Sequence, residues 1–225
     1  MLLRIVPAAV AAAEEFGDPP EAALFPAEEA LIARAVDKRR REFTTARYCA
    51  RRALAELGRP PTPILRGERG APGWPPGIVG SLTHCDGYRA AAVARAEDLA
   101  AIGIDAEPHA PLPDGVLESI TRPEERRWLA AAHAADPTVC WDRLVFCVKE
   151  AVYKTWFPLT GRWLGFEDAT VSIDPGTATF GVRLLVPGPV VADVQLDQFT
   201  GRWVVDRGLI VTAIALAQPA SPPAG

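Results

Sequence analysis

The chain has 225 residues, of which 49% are hydrophobic and 23% charged, a balance typical of a globular protein with a hydrophobic core. A net charge of −4 argues against a protein that mainly binds nucleic acid, and no apolar run approaches the roughly 20 residues that span a bilayer. The four cysteines form no CxxC pair and, with the three histidines, no zinc-ligand spacing. We therefore expect reduced thiols in a cytoplasmic protein.

The first predicted helical region is strongly basic on one side. Residues 28–57 carry apolar side chains at helical spacing, which predicts two helices or one helix interrupted near Thr44, closed by Gly58 and two prolines. The opposite face carries mainly arginine: Arg34, Lys38, Arg39, Arg40, Arg41, Arg47, Arg51 and Arg52. With only Asp37 and Glu42 inside this run, the face is either a solvated surface or a binding surface for an anionic ligand or partner.

A loop and three strands follow. Residues 59–77 are rich in proline and glycine and predict a loop that contains Arg66. Residues 78–82, 88–94 and 101–106 are apolar runs joined by short turns, which predicts three strands.

The second half repeats the order of helix and then strands. Residues 123–133 predict a helix that begins with a proline and acidic residues. Residues 138–157 predict a long amphipathic helix that is closed by Pro158 and Gly161. Residues 169–217 alternate strand-like runs with turns.

This order of elements predicts the fold class. Strands in two groups, each preceded by helices, favour an α+β fold over a parallel doubly wound sheet. We place the two halves at residues 1–110 and 111–225.

The segment AIGIDAEP, residues 101–108, places two carboxylates at the end of an apolar strand. Side chains alternate along a strand, so Asp105 and Glu107 share one face while Ile102 and Ile104 take the other. Carboxylates this close disfavour joint ionisation unless a positive charge lies between them. Together with Glu150 they are candidate ligands of Mg²⁺, and salt bridges to nearby arginines are the alternative explanation of the pair.

Two motifs and their surroundings resemble the 4′-phosphopantetheinyl transferases. GIDAE, followed about forty residues later by FCVKEAVYK, resembles the two signature motifs of the Sfp and EntD type. The segments RREFTTARYCARRAL, GSLTHCDGYRAAAV and WDRLVFCVKEAVYKTWFPLTGRWLGFEDA resemble the PptT-like branch of that family. The likeness extends from about residue 30 to residue 215.

The resemblance implies both a fold and a reaction. The fold is α+β, with two similar α/β halves packed pseudo-symmetrically and the active site in the cleft between them. The reaction is transfer of 4′-phosphopantetheine from coenzyme A to a serine of an apo acyl or peptidyl carrier protein, which releases adenosine 3′,5′-bisphosphate. The expected enzyme is a cytoplasmic monomer without a nucleic-acid or membrane partner. It serves fatty-acid, polyketide or nonribosomal-peptide synthesis, siderophores included.

The resemblance also implies roles for single residues. Asp105, Glu107 and Glu150 are expected to hold Mg²⁺ or Mn²⁺ against the coenzyme A pyrophosphate. Glu150, or a water that it orients, is expected to take the proton from the serine, with Lys154 and Asp105 completing the catalytic set. The expected contacts to coenzyme A are Arg39, Arg47, Arg66, Thr83, His84, Lys149 and Lys154. Arg66 stands where close relatives often carry lysine.

The remaining basic residues have a plausible partner in an acidic carrier protein, which a basic rim would steer electrostatically. These are Arg34, Arg40, Arg41, Arg51 and Arg52. Trp156, Phe157 or Trp163 could seat the carrier helix, although each is also a candidate for the core.

Two other functions fit parts of the pattern. A metal-dependent nuclease also uses carboxylates with a lysine, but it needs a basic groove that the acidic composition disfavours. A non-enzymatic protein could bind an acidic partner through the basic helix face, with the carboxylates purely structural.

Overall fold

The structure is a computed structural model that describes residues 1–218. It contains two larger antiparallel sheets, each covered on one face by a long helix, so the predicted α+β class is confirmed. The last part of the predicted C-terminal half, residues 219–225, lies outside the described residues.

The elements follow one another along the chain in this order. The helices are α1 (Pro26–Leu31), α2 (Asp37–Glu56), α3 (Val116–Ile120), α4 (Pro123–Ala135) and α5 (Trp141–Thr160). The strands are β1 (Ala11–Glu15), β2 (Ile78–Cys85), β3 (Tyr88–Arg95), β4 (Leu99–Pro108), β5 (Ala169–Asp174), β6 (Thr179–Leu184), β7 (Val190–Val191), β8 (Val194–Gln195), β9 (Gln198–Asp206) and β10 (Leu209–Ala217). Short 3₁₀ turns lie at Leu2–Arg4, Glu68–Gly70 and Phe166–Asp168.

The first sheet has three strands in the order β1-β3-β2 and packs against α2. The central strand, β3, is rich in alanine and buried on both faces. Ala91 and Val93 pack towards α2, while Ala90 and Ala92 belong to a second apolar cluster on the other face. Small side chains let the strand be covered on both sides at close range.

The second sheet has five strands in the order β4-β10-β9-β6-β5 and packs against α5. Leu144, Val148 and Val152 recur along one side of α5 at spacings of four residues and are buried against this sheet. The apolar stripe predicted from the sequence is therefore the face of the helix that forms the core.

Strand β4 joins the two sheets. On one edge it pairs with β10, in the register Asp105 to Thr212. On the other edge its backbone N–H groups donate to side-chain hydroxyls of β2, from Ile104 to Ser81 Oγ at 3.1 Å and from Ala106 to Thr83 Oγ1 at 3.0 Å. A strand of the predicted first half therefore belongs to the second sheet, and the boundary at residue 110 stays a prediction.

The position of one helix break and the end of one helix differ from the sequence-based prediction. The helical region breaks between α1 and α2 rather than near Thr44, whose hydroxyl donates to the Arg40 carbonyl at 2.8 Å within the helix. Helix α5 continues through Pro158 and ends at Gly161, which has a φ of 63°. Proline removes only its own N–H from the last turn, and glycine tolerates the left-handed conformation that ends the helix.

All four cysteines are free, as expected from their spacing. Burial raises the pKa of Cys49 and of Cys85 to about 12, so both thiols stay protonated at neutral pH. Within residues 1–218, no helix combines the length and the apolar character that crossing a bilayer requires.

Candidate active site

A cleft of about 860 Å³ lies between α2 and β2 on one side and β4 and α5 on the other. It gathers all but one of the predicted site residues: Arg39, Arg47, Arg66, Thr83, His84, Asp105, Glu107, Glu150 and Lys154. A groove of about 930 Å³ on the five-stranded sheet, lined by Arg4 and Arg202 among others, contains none of them. The cleft is therefore the candidate active site.

Gly103 brings the helix that carries Glu150 against the strand that carries Asp105. A Cβ atom at this position would lie 2.1 Å from the Ala151 carbonyl oxygen and 2.2 Å from Thr155 Oγ1. Only glycine permits so close an approach of α5 to β4. Because alternate residues of a strand share a face, the two carboxylates of β4 also face α5.

Asp105 is buried, and its two oxygens have different surroundings. Oδ1 accepts hydrogen bonds from Lys154 Nζ at 2.7 Å and from Thr83 Oγ1 at 3.2 Å. Oδ2 is buried without a hydrogen-bond partner among the described residues. Burial lowers the pKa of Lys154, but the neighbouring Asp105 outweighs this effect, and the net pKa lies above the ordinary value.

The other two carboxylates also lie in the cleft. Glu107 Oε2 accepts a hydrogen bond from Arg143 Nη1 at 2.9 Å, whereas the Glu150 carboxylate forms no hydrogen bond or ion pair with any of residues 1–218. Burial, followed by repulsion from Asp105, raises the pKa of both glutamates. The cluster therefore carries more negative charge than its surroundings balance.

The donor set fits a hard divalent cation. In the described part of the chain no three acidic, histidine or cysteine side chains are already gathered into a metal cage. Asp105 and Glu107 instead each contact a cationic side chain. A buried carboxylate oxygen without a partner is nevertheless costly, and Mg²⁺ prefers oxygen ligands, so Asp105 Oδ2 beside two further carboxylates suits such an ion.

Lys149 is the predicted site residue that lies outside the cleft. Its Nζ donates to Glu125 Oε2 at 2.9 Å, to the Phe166 carbonyl at 2.9 Å and to the Ala169 carbonyl at 3.4 Å. Burial lowers the pKa of Lys149, and Glu125 opposes this shift. All three donors of the ammonium group are thus engaged, and they tie α5 to α4 and to the turn before β5.

Three arginines make one end of the cleft strongly positive. The Arg47 guanidinium carbon lies 3.6 Å from the centre of the Phe43 ring, and that of Arg66 lies 5.6 Å from the same centre. Burial lowers the pKa of Arg47 to about 10, and repulsion from Arg66 and Arg39 contributes. Such a cluster is stabilised by an anionic ligand.

His84 lies at the same end in a defined protonation state. Its Nε2 lies 2.6 Å from Arg39 Nη1, and Nδ1 lies 3.6 Å from Glu42 Oε2. Because a guanidinium can only donate, Nε2 must accept, and the imidazole is neutral with its proton on Nδ1. Burial, together with the positive charge of Arg39, lowers the pKa of His84 to about 4.

Much of the basic face of α2 is paired with acids outside the run. Arg41 lies 3.5 Å from Asp18, Arg51 lies 3.0 Å from the buried Glu28, and Arg52 pairs with Glu15. Arg40 donates to the Ile32 carbonyl at 2.8 Å, and Arg34 is exposed. These contacts join α2 to the segments before it. The pattern of charges within α2 alone did not indicate these ion pairs.

Of the three aromatic candidates for carrier contact, only one is exposed. Trp156 and Phe157 are buried in the core, whereas Trp163 is 63% exposed. Its ring centre lies 5.1 Å from that of Tyr153, and the Arg69 guanidinium carbon lies 5.7 Å from it. Trp163 therefore links the loop that follows α5 to the loop at residues 65–73.

Sequence reasoning missed Arg143 and Phe43. Arg143 and Glu150 are seven residues apart on α5, so they share a face after two turns, and this spacing could have identified the arginine. Phe43 precedes Arg47 by one turn of α2, but an aromatic at that spacing is typical of core residues.

Comparisons with known proteins identify the family of the chain. Residues 27–94 match the family model of the 4′-phosphopantetheinyl transferase N-terminal domain, and residues 101–205 match that of the 4′-phosphopantetheinyl transferase superfamily. The chain is 59% identical to the 4′-phosphopantetheinyl transferase Svp of Streptomyces mobaraensis, over 90% of this chain and 82% of that protein. It is 55% identical to Npt of Nocardia iowensis, over 96% of this chain and 100% of the relative.

A third relative, the 4′-phosphopantetheinyl transferase PptT of Mycobacterium tuberculosis, is 50% identical over 96% of this chain and 98% of its own length. The matches cover both sides of the cleft, and neither a nuclease nor a purely binding protein finds support among them. The chain therefore belongs to the 4′-phosphopantetheinyl transferase superfamily and is an enzyme of that family.

Proposed function

We propose that the cleft binds coenzyme A and transfers its 4′-phosphopantetheine group to a serine of an apo acyl or peptidyl carrier protein. The observation that carries this proposal is the partnerless buried oxygen of Asp105, which lies with two further carboxylates in a cleft whose other end is cationic. A ligand with a pyrophosphate and a distant third phosphate needs carboxylates that hold a cation beside the pyrophosphate. It also needs a cationic region for the third phosphate.

Asp105, Glu107 and Glu150 are the residues that would hold the divalent cation. When bound there, Mg²⁺ or Mn²⁺ supplies positive charge beside the pyrophosphate and polarises its phosphoryl oxygens.

We propose Glu150 as the general base. Its side chain lines the cleft and forms no salt bridge within residues 1–218, so its carboxylate can accept a proton, directly or through a water. The serine oxygen forms a bond to the phosphorus that carries pantetheine, and the bridging P–O bond breaks. The serine proton moves to Glu150, directly or through a water, and adenosine 3′,5′-bisphosphate leaves.

Lys154 and the arginine cluster provide fixed positive charge. Lys154 Nζ is held between Asp105 Oδ1 and the Ile104 carbonyl at 3.2 Å, and Asp105 keeps it protonated. It can therefore stabilise charge on the pyrophosphate without moving. Arg39, Arg47, Arg66 and His84 would bind the 3′-phosphate and the nucleotide, while the Thr83 hydroxyl orients Asp105.

A small pocket beside Glu150 suits the pantetheine arm. It measures about 130 Å³ and is lined by Val152, Tyr153, Trp163 and Leu164 among others. Glu150 and Tyr153 line both this pocket and the cleft, so an arm that leaves the pyrophosphate would pass the proposed base.

Intact-mass spectrometry of an apo carrier protein tests the function. We expect a mass gain of one phosphopantetheine after incubation with the enzyme, coenzyme A and Mg²⁺, and no gain with EDTA or with Glu150→Gln. Failure across acyl and peptidyl carriers, with coenzyme A binding shown separately, would contradict the proposal. We also propose that the enzyme is a cytoplasmic monomer without a nucleic-acid or membrane partner, which light scattering and cell fractionation can test.

A further inference from the structure

Arg143 binds the carboxylate of Glu107 and the chain immediately after it. Nη1 donates to Glu107 Oε2 at 2.9 Å, Nε to the Ala110 carbonyl at 3.0 Å and Nη2 to the Pro111 carbonyl at 2.8 Å. A guanidinium is planar and rigid, so three bonds from its different nitrogens fix its orientation. The Arg143 side chain is only 16% exposed, and its bond to Glu107 is partly buried, whereas the two bonds to backbone carbonyls lie at the surface.

The rest of the first turn of α5 binds the same segment. The Leu112 N–H donates to Asp142 Oδ2 at 2.7 Å, and the Cys140 N–H donates to His109 Nε2 at 3.0 Å. Residues 107–112 are thus docked on the helix that carries Glu150. The position of Glu107 relative to Glu150 is therefore set by contacts to α5 as well as by the pairing of β4 with β10.

We propose that Arg143 is a positioning residue for the divalent cation, which holds Glu107 through Oε2 and so directs Oε1 to the cation. This inference rests on the proposed function, which places the cation at Glu107. Two of the three bonds of Arg143 go to backbone carbonyls and do not depend on Glu107. The arginine therefore stays in place when a cation binds. Partners of this kind commonly set ligand geometry at metal sites.

The test measures Mn²⁺ binding directly, from the electron paramagnetic resonance signal of free Mn²⁺ in the presence of coenzyme A. We expect Arg143→Gln and Arg143→Lys each to weaken Mn²⁺ binding by about ten- to a hundredfold, since lysine keeps the charge but cannot make all three bonds. Coenzyme A binding without metal should stay unchanged. The control is Arg127→Gln on α4, because Arg127 is exposed and has no side-chain hydrogen bond or ion pair within residues 1–218.

A double-mutant cycle with Glu107→Gln identifies the route of the effect. If Arg143 acts through Glu107, adding Arg143→Gln to Glu107→Gln causes no further loss of Mn²⁺ affinity. Additive losses would overturn the inference. Mn²⁺ binding that is unchanged or tighter in both Arg143 variants would also overturn it, since Arg143 would then merely occupy the site of the cation. Absence of Mn²⁺ binding by the wild type would instead refute the proposed metal site, and the inference with it.

Discussion

At the scale of single residues, the proton on His84 links coenzyme A binding to pH. Burial and the neighbouring Arg39 keep the imidazole neutral in the free enzyme, with a pKa of about 4. A phosphate dianion in the same place favours the protonated ring and raises this pKa. We therefore expect coenzyme A binding near pH 6.5 to take up protons at His84. The measurement is calorimetry in two buffers of different ionisation enthalpy.

His84→Gln is the control for this prediction. The phosphate titrates in the same range, so the relevant quantity is the difference in proton uptake between wild type and variant with the same ligand. Affinity for coenzyme A should rise as the pH falls from 7 towards 6 more steeply in the wild type than in the variant. Equal proton uptake by the two proteins would show that His84 does not face the phosphate.

At the scale of elements, the contact of β4 with α5 depends on the missing side chain of Gly103. We expect Gly103→Ala to destabilise the protein by about 1–3 kcal/mol, because a methyl group at 2.1 Å from the Ala151 carbonyl pushes the helix away. Urea unfolding measures the stability, and residual turnover should fall further than coenzyme A binding. Gly176→Ala in the exposed turn after β5 is the matched control and should change neither.

Substitution in the buried pair of Lys149 and Glu125 is expected to lower stability without weakening coenzyme A binding. Lys149→Met leaves Glu125 buried without its cation, which costs about 3–5 kcal/mol of unfolding free energy. Replacing both, as Lys149→Met with Glu125→Gln, should recover part of this loss. Coenzyme A affinity of the folded fraction should stay near that of the wild type. A stable Lys149→Met variant with weakened coenzyme A binding would support the family-implied contact instead.

At the scale of the whole molecule, Trp163 presents an exposed aromatic surface beside the cleft. We expect Trp163→Ala to raise the KM for the carrier protein several-fold to about tenfold, the range of an aromatic interface contact. Because Trp163 also lines the pocket proposed for the pantetheine arm, coenzyme A affinity is measured separately. Val190→Ala is the control, because Val190 is 64% exposed but lies on β7, outside the residues that line the cleft. An unchanged carrier KM in Trp163→Ala would place the docking surface elsewhere.

The periodic parts of the sequence were sufficient to predict the main elements and the face that Asp105 and Glu107 share. They were not sufficient to predict long-range pairing. Lys149 and Glu150 are adjacent on α5, and only the packing of this helix decides that Glu150 lines the cleft while the Lys149 ammonium group binds Glu125. The spacing of Arg143 from Glu150 on α5 was a local signal of a shared face, but the ion pair of Arg143 with Glu107, on another element, was not visible in the sequence. Such ion pairs depend on tertiary contacts that no local pattern contains.

The hydroxyl groups of Ser81 and Thr83 have a consequence for solubility. Strand β4 ends its sheet, and the edge strand of a sheet is a template for pairing with a second chain, above all when it is as apolar as the segment AIGI. Here the N–H groups of Ile104 and Ala106 are already used by those two hydroxyls. The enzyme can therefore keep an apolar strand beside its cleft without offering that edge to intermolecular β-sheet formation and aggregation.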